Sequence, residues 1–303
     1  MLLKKSLIVR LSFALVGSLC VAATFVACKT SAVEPAGVVK IPAKYKQGGF
    51  AIGCQAYSFN RFSVFEAIEK TAQTGSRVIE FYPGQKLSKE EPAIKWDHNA
   101  SDETIAKVKA KLKEHAILAV NYGVVSIPKD EAGARKVFEF AKKMGLRGIT
   151  TEDTGSIDTI EKMVKEYNIM VGFHDHPRQP NNPNYKMWDP NYILSVVKDR
   201  DPRIGSCADT GHWVRSGLKP VECLQILKGR IVSSHLKDLN EFGKTGAHDM
   251  PYGKGVSDVK AILDELKAQN FQGNISVEYE YNWDNSVPDI KECVDYVRNY
   301  PKM

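Results

Sequence analysis

Short apolar runs alternate with amphipathic stretches along the chain from residue 50 onward. Each run is rich in β-branched or aromatic residues and is bounded by turn residues, which is typical of buried strands. The pattern predicts eight strands, over residues 50–58, 77–82, 117–123, 147–153, 169–175, 203–209, 231–238 and 274–281.

The stretches between these runs repeat apolar residues at spacings of three and four, as Ile105, Val108 and Leu112 do. This spacing places the apolar side chains on one face of a helix. The predicted helices cover residues 63–74, 102–114, 130–143, 157–167, 190–199, 220–228, 257–269 and 288–299. Gly75 and Gly145 follow two of them as stop signals.

Eight strand–helix units in succession predict an α/β fold with a parallel sheet, because parallel strands need crossover connections. Eight such units most often close into a (β/α)₈ TIM barrel. An open, doubly wound sheet is the alternative, but no GxGxxG sequence follows the first predicted strand. The residues after 48 therefore predict a single barrel domain, 48–303.

The N-terminal segment has the pattern of an export signal. Lys4, Lys5 and Arg10 precede an apolar run over residues 11–27, and a basic start followed by an apolar middle is typical of a signal peptide. A membrane-spanning anchor is the alternative, although the run is short for the roughly 20 residues of a span. Either interpretation places the rest of the chain outside the cytoplasm.

Residues 25–28, Phe-Val-Ala-Cys, resemble the lipidation site of bacterial lipoproteins. We therefore expect a signal over residues 1–28 with lipid on Cys28, and plain cleavage nearby is the alternative. Residues 29–47 are rich in Ser, Pro, Ala and Lys with little periodicity, and are predicted to be a flexible tether. The protein would then reside in the periplasm or on a membrane through its lipid.

Charge argues against one class of partner, and the cysteine positions indicate the state of the thiols. The chain has 42 basic and 36 acidic residues, without a Lys/Arg run of the kind that follows a phosphate backbone, so nucleic acid is not an expected partner. Cys54, Cys207, Cys223 and Cys293 are scattered without CxxC spacing. Cys54 and Cys207 lie in predicted strands, where buried free thiols are expected.

Polar and charged residues, which are unfavourable to bury, fall in the last few positions of the predicted strands. A buried charge is unfavourable unless it is paired or bound to a metal, and the carboxyl ends of barrel strands meet at one pocket. The residues at these ends are Glu152, His174, Asp209, His235, Lys237 and Glu278. The sequence therefore predicts a polar site at the carboxyl ends of the strands.

Four local motifs occur in a specific order over the second half of the chain. They are Asp209-Thr-Gly-His212, His235-Leu-Lys237-Asp238, a Gly-Lys-Gly loop over residues 253–255, and Glu278 closing the last strand. In this combination the chain resembles the xylose isomerase-like barrels, a family of sugar isomerases and epimerases.

The resemblance implies one divalent ion, Mn²⁺, Mg²⁺, Co²⁺ or Zn²⁺, held by Asp209, His235 and Glu278. A fourth ligand in this family usually is a glutamate from the fifth strand. This chain has His174 at that position, so either His174 or Glu152 is expected to complete the set. Imidazole is a suitable ligand for Mn, Fe, Co and Zn.

The chemistry that such a set supports is proton transfer next to a carbonyl carbon. A metal stabilises the enediolate, a carboxylate such as Glu152 or Glu278 moves the proton, and Lys237 stabilises a negative oxygen. Aromatic faces commonly stack on sugar rings. The expected substrate-binding residues are His176, His212, Glu80, Tyr57 and Trp213, with Glu80 as an ion-pair partner in the alternative.

The sequence thus favours a metal-dependent sugar isomerase or epimerase that acts on an unphosphorylated sugar or keto-sugar through an enediolate. A lyase or dehydratase acting on an oxidised (3-keto) sugar through the same enolate is one alternative, and a noncatalytic sugar-binding lipoprotein is another. A DNA-repair endonuclease is not expected, because it would need three zinc ions and more His and Glu ligands than these strand ends supply. A carbohydrate is the expected partner, and homodimers, common in the family, are left open.

Overall fold

Eight parallel strands close into a barrel in the computed structural model, which describes residues 35–302. Each strand pairs with its neighbours in chain order, and β1 pairs with both β2 and β8. The strands are β1 Ala51–Gln55, β2 Val78–Phe81, β3 Leu118–Tyr122, β4 Gly148–Thr151, β5 Met170–His174, β6 Ile204–Asp209, β7 Ile231–Leu236 and β8 Asn274–Val277. The predicted (β/α)₈ barrel is confirmed.

Helices connect the strands and surround the barrel. They are α1 Val64–Gln73, α2 Asp102–Glu114, α3 Glu131–Met144, α4 Ile157–Tyr167, α5 Pro190–Val197, α6 Thr210–Arg215, α7 Pro220–Ile226, α8 Val259–Ala268 and α9 Val287–Asn299. Short 3₁₀ helices cover Ala43–Tyr45, Ala56–Phe59, Thr154–Ser156 and Tyr300–Lys302. The eight predicted helices are all present, and α6 is an additional turn of helix that the sequence pattern did not indicate.

The main core lies between the barrel and its helices. Apolar faces of the helices pack on strand residues such as Ile52, Ile79 and Phe173, none of which is exposed. The four cysteines of the described residues are buried free thiols, as expected for Cys54 and Cys207. No helix among residues 35–302 is long and apolar enough to cross a membrane.

The segment before β1 packs on the amino-terminal end of the barrel, so residues 35–47, the described part of the predicted tether over 29–47, are folded rather than flexible. Val38 packs on Met170 and Val232, near the starts of two strands. Ile41 belongs to a second buried cluster at the starts of β1, β2 and β3. The predicted signal peptide, residues 1–28 with Cys28, lies outside the described residues.

The loop after β7 is held by a single buried carboxylate. Asp238 begins a short antiparallel pair, Asp238–Leu239 with Asp249–Met250. Its two carboxylate oxygens accept hydrogen bonds from the backbone N–H groups of Gly253, Gly255 and Ser257 at 2.8, 2.9 and 3.0 Å. A Cβ on Gly255 would lie 2.4 Å from Asp238 Oδ1. The Gly-Lys-Gly loop is therefore folded around Asp238.

We expect Asp238→Ala to lower the free energy of unfolding by about 3 kcal/mol or more, because three backbone donors would lose a charged acceptor. Urea unfolding followed by circular dichroism would measure the change. Asp284→Ala is the matched control, since that side chain is 76% exposed and pairs only on the surface with Arg61. Equal effects of the two substitutions would contradict this role of Asp238.

Candidate active site

Four buried side chains converge where β5 to β8 end. His174 and Asp209 are the last residues of their strands, His235 is the penultimate residue of β7, and Glu278 directly follows β8. His235 Nδ1 lies 3.1 Å from His174 Nε2, 3.2 Å from Glu278 Oε2 and 3.9 Å from Asp209 Oδ2. The parallel register, which pairs Asp209 with His235, produces this convergence. The predicted metal ligands therefore do meet at one point.

Glu80 lies beneath this point rather than in a substrate pocket, so its predicted substrate-binding role is wrong. It is fully buried, and its oxygens accept from Asn121, Thr150 and Ser276 at 3.0, 3.0 and 2.7 Å. Burial opposes its ionisation, but His235 and these hydrogen bonds hold the pKa of Glu80 below its usual value. The alternative, an ion-pair partner, is the one that the structure supports.

Glu80 faces the outer nitrogen of His235, because Glu80 Oε2 lies 3.1 Å from His235 Nε2. The negative charge of this carboxylate favours a proton on Nε2, which would leave the Nδ1 lone pair toward His174, Asp209 and Glu278, although the two atoms are not aligned as a hydrogen bond. Histidines that bind a metal commonly have a carboxylate beside the other ring nitrogen.

Asp209 serves two purposes with its two oxygens. Oδ1 accepts from the backbone N–H of His212 at 2.9 Å and caps α6, whereas Oδ2 points to the convergence point. The Asp209 backbone N–H in turn donates to Asp175 Oδ1 at 2.8 Å. Asp175 is buried and was not predicted as a site residue, and its burial next to Asp209 raises its pKa well above the usual value.

His212 lies beside the cluster, with Nε2 3.7 Å from Asp209 Oδ2. Burial lowers the pKa of His212 well below its usual value, which favours the neutral ring. Its Nδ1 lies 3.1 Å from Arg215 Nη1, which can only donate. The proton of the neutral ring therefore lies on Nε2. A protonated nitrogen has no free lone pair, so Nε2 of His212 can donate a hydrogen bond but cannot bind a metal.

The Lys237 ammonium lies among three carboxylates. Its Nζ is 2.8 Å from Asp209 Oδ2, 2.7 Å from Glu278 Oε2 and 2.9 Å from Glu280 Oε2. Burial alone would lower the pKa of Lys237, but these carboxylates raise it well above its usual value. Conversely, although burial opposes the charge on Glu278, Lys237 and His235 hold its pKa well below the usual value. The charged forms stabilise one another.

Glu280 and Arg215 complete this network, and neither was predicted. Arg215 Nη1 donates to Glu280 Oε2 at 3.1 Å. Glu280 is two residues after Glu278, so its side chain leaves the extended chain on the same side. The two-residue spacing from Glu278 could have indicated Glu280 from the sequence. Nothing in the sequence indicated that Arg215 extends from α6 to Glu280.

A second group lies where β4 and β5 end. Glu152 Oε1 makes a short hydrogen bond with His176 Nδ1 and lies 3.7 Å from His174 Nδ1, and the Tyr185 hydroxyl donates to Glu152 Oε2 at 3.3 Å. Burial opposes ionisation of Glu152, but the two imidazoles lower its pKa to about 2. Glu152 is therefore held as a carboxylate. Tyr185 belongs to the long loop between β5 and α5.

Two adjacent cavities open at this end of the barrel. One of about 290 Å³ is lined by Tyr57, His174, His176, Glu278 and Glu280, among others. A second, of about 590 Å³, is lined by Glu152, His176, Arg178 and Tyr185, among others. His176 contributes to both, and its ring stacks on His212 with centroids 4.9 Å apart.

The aromatic residues expected to bind substrate separate into two classes. Tyr57 is 39% exposed, lines the smaller cavity, and packs edge-on against Tyr82 and Trp283. Trp213 is 1% exposed and belongs to the main core, and it lines neither of the two cavities. The prediction that Trp213 binds substrate is therefore wrong, because α6 turns its ring inward.

The donor atoms of His174, Asp209, His212 and Glu278 lie within 4.8 Å of one another. Asp209 Oδ2 is buried and accepts no well-aligned hydrogen bond, and its close neighbours include the Lys237 ammonium at 2.8 Å, so a cation already sits beside this oxygen. A mixed set of imidazole nitrogens and carboxylate oxygens suits first-row divalent metals. The buried His/Asp/Glu cluster can thus bind a metal ion, with His235 facing the same atoms.

Comparison with known proteins identifies the family of this chain. Residues 154–300 match the family described as xylose isomerase-like TIM barrel. A solved structure of an uncharacterised protein from Parabacteroides distasonis has 31% sequence identity and a TM-score of 0.66, covering 82% of this chain and 98% of that one. The chain belongs to the xylose isomerase-like TIM barrel family.

Two curated relatives of this family member match over shorter stretches. Inosose dehydratase from Clostridium tetani is 28% identical over a 145-residue alignment, and the match covers 41% of this chain and 45% of the relative. The 3-oxo-isoapionate decarboxylase from Pectobacterium atrosepticum is 25% identical over 137 residues, 43% of this chain and 46% of the relative. The chain thus spans less than half the length of the curated relatives that it matches.

We expect Glu80→Gln to destabilise the protein by about 1–3 kcal/mol, because an amide would present a donor to neighbours that themselves donate. Thermal and urea unfolding would measure the loss. Glu222→Gln is the matched control, since that side chain is 65% exposed and pairs with Lys219 on the surface. A Glu80→Gln protein as stable as wild type would contradict the supporting role of this carboxylate.

Proposed function

We propose that this protein is a metal-dependent isomerase or epimerase that moves a proton next to the carbonyl carbon of an unphosphorylated sugar or keto-sugar. The observation that carries the proposal is the convergence of His174, Asp209, His235 and Glu278 beside the smaller cavity, which His174 and Glu278 line. His176 lines this cavity as well as the adjacent one that Glu152 lines. A divalent ion held by these four residues would supply Lewis-acid polarisation of a substrate carbonyl.

Proton transfer is assigned to the Glu152–His176 pair. A carboxylate with a pKa of about 2 is a weak base by itself. Its hydrogen bond to Nδ1 of His176 instead orients that ring and leaves Nε2 to take a proton from substrate carbon. Return of that proton by His176 to the neighbouring carbon gives an isomer. An epimer forms when a second group gives a proton to the opposite face of the same carbon, and Glu278, which lines the smaller cavity with His176, is assigned to that step. Glu152 thus acts through His176, which lines both cavities.

Lys237 is assigned to the oxygen that becomes negative as the proton leaves. Its buried ammonium pairs with Glu278 and Glu280, both of which line the smaller cavity. A positive charge in such a buried site is worth more than in water. Tyr57 offers an aromatic face to a sugar ring. The export predicted from the N-terminal sequence supports an unphosphorylated substrate.

A dehydratase acting on a keto-sugar is the second candidate, and a specific observation favours it. The fifth strand supplies His174 in place of the carboxylate usual in the family, so a second carboxylate base is lacking at that position. An enolate formed with one base can instead expel a β-hydroxyl, which leaves as water with the proton that the base took from the carbon. The likeness to inosose dehydratase supports the same chemistry.

Incubation of the Mn²⁺-loaded full chain with a panel of sugars and keto-glycosides in D₂O tests both candidates. We expect one bound ion per chain and metal-dependent deuterium entry at a single carbon, followed by NMR and mass spectrometry. Formation of an unsaturated, dehydrated product would select the dehydratase. The variants Glu152→Gln and His176→Gln should each slow exchange by roughly 100-fold or more.

Glu222→Gln serves as the control for the substitutions, because its side chain lies on the surface. A protein that binds the metal but exchanges no hydrogen across the whole panel would contradict the proposal. Sugar binding without either metal or exchange would instead identify a noncatalytic binding protein.

A further inference from the structure

We infer that Lys237 is a built-in competitor of the divalent ion, because its ammonium occupies the position among the Asp209 and Glu278 carboxylates that the ion would take. The inference rests on the proposed metal-dependent function. It adds that the chain sets its own metal affinity, since the ammonium has to retreat before the ion can bind.

The competition concerns the same oxygen atoms. Asp209 Oδ2 and Glu278 Oε2 both point toward the imidazoles, and Lys237 Nζ lies 2.8 and 2.7 Å from them. A divalent ion binds carboxylate oxygens at roughly 2.0–2.6 Å. An ammonium that stayed in place would therefore lie next to a doubly charged ion with no space for solvent to screen their repulsion.

The packing around Gly211 and Thr210 directs the Lys237 side chain toward the carboxylates. A Cβ on Gly211 would lie 2.6 and 2.8 Å from Lys237 Cβ and Cδ. The glycine of the Asp209-Thr-Gly-His212 motif thus leaves a slot through which the lysine stem passes. The Lys237 backbone N–H also donates to Thr210 Oγ1 at 3.1 Å. The motif that presents Asp209 therefore also guides its competing cation.

Glu280 provides a place to which the ammonium can retreat. Its Oε2 lies 2.9 Å from Lys237 Nζ, and its side chain is 24% exposed, against 0% for Asp209. A small rotation of the lysine tip would keep this ion pair while it releases the two deeper carboxylates. Without the ion, the ammonium neutralises these carboxylates and preserves the shape of the site.

Calorimetric titration of the EDTA-treated full chain with Mn²⁺ tests the inference. Lys237→Met removes the charge with a stem of similar bulk, and Lys237→Gln keeps a hydrogen-bond donor that favours folding. Both variants should bind Mn²⁺ at least about tenfold more tightly than wild type, because the repulsion is gone. Lys107→Gln, which removes a lysine that pairs with Glu91 and Glu103 away from the site, should bind like wild type.

The melting temperature, measured with and without Mn²⁺, is a second test. Without Mn²⁺, both Lys237 variants should melt below wild type, because two buried carboxylates lose their partner. Saturating Mn²⁺ should remove most of the difference in melting temperature between the variants and wild type, because the ion replaces the ammonium beside the carboxylates. If Lys237 had only a structural role, the difference would remain. A variant that folds only with Mn²⁺ supports the inference, and one that stays unfolded with Mn²⁺ overturns it.

The outcomes separate this inference from the proposed function. Equal or weaker Mn²⁺ binding by the two folded variants, with wild type binding normally, overturns the competition alone. Binding by the variants but not by wild type supports it. Absence of binding by all of these proteins overturns the metal-dependent function and the competition together.

Discussion

The burial of acidic groups at the strand ends is the constraint on which the rest of the site depends. Charged carboxylates are stable in a protein interior only with opposite charges or hydrogen-bond donors beside them. Glu80 is satisfied by hydroxyl and amide groups below the site, Glu152 by imidazoles, and Asp209 and Glu278 by Lys237. The positions of most other polar residues near the mouth follow from these pairings.

The sequence predicted the barrel because its alternating periods leave few other arrangements for eight consecutive strand–helix units. It also predicted that His174, Asp209, His235 and Glu278 would meet, since the carboxyl ends of parallel strands share one rim. Strand order and direction alone bring these four residues together, whatever the conformation of their side chains. Residues far apart in the chain were therefore predicted correctly to lie close together.

Side-chain direction explains what the sequence could not predict. Glu80 is the third residue of the four in β2 and points into the barrel below the rim, and Trp213 lies on a helical turn whose inner face depends on the Asp209 cap. The partners of Lys237 depend on how its long stem is held. Val38 and Ile41 were missed because the apolar residues of residues 29–47 follow no recognisable period.

The packing of Val38 and Ile41 also redefines where the folding unit starts. Composition changes near Gly48, and a truncation designed at that point would remove the hydrophobic base on which the starts of five strands rest. Water would then reach Met170 and Val232 from below, at the end of the barrel farthest from the chemistry. Expression boundaries for this barrel therefore belong before Val38, even though the sequence there looks like a linker.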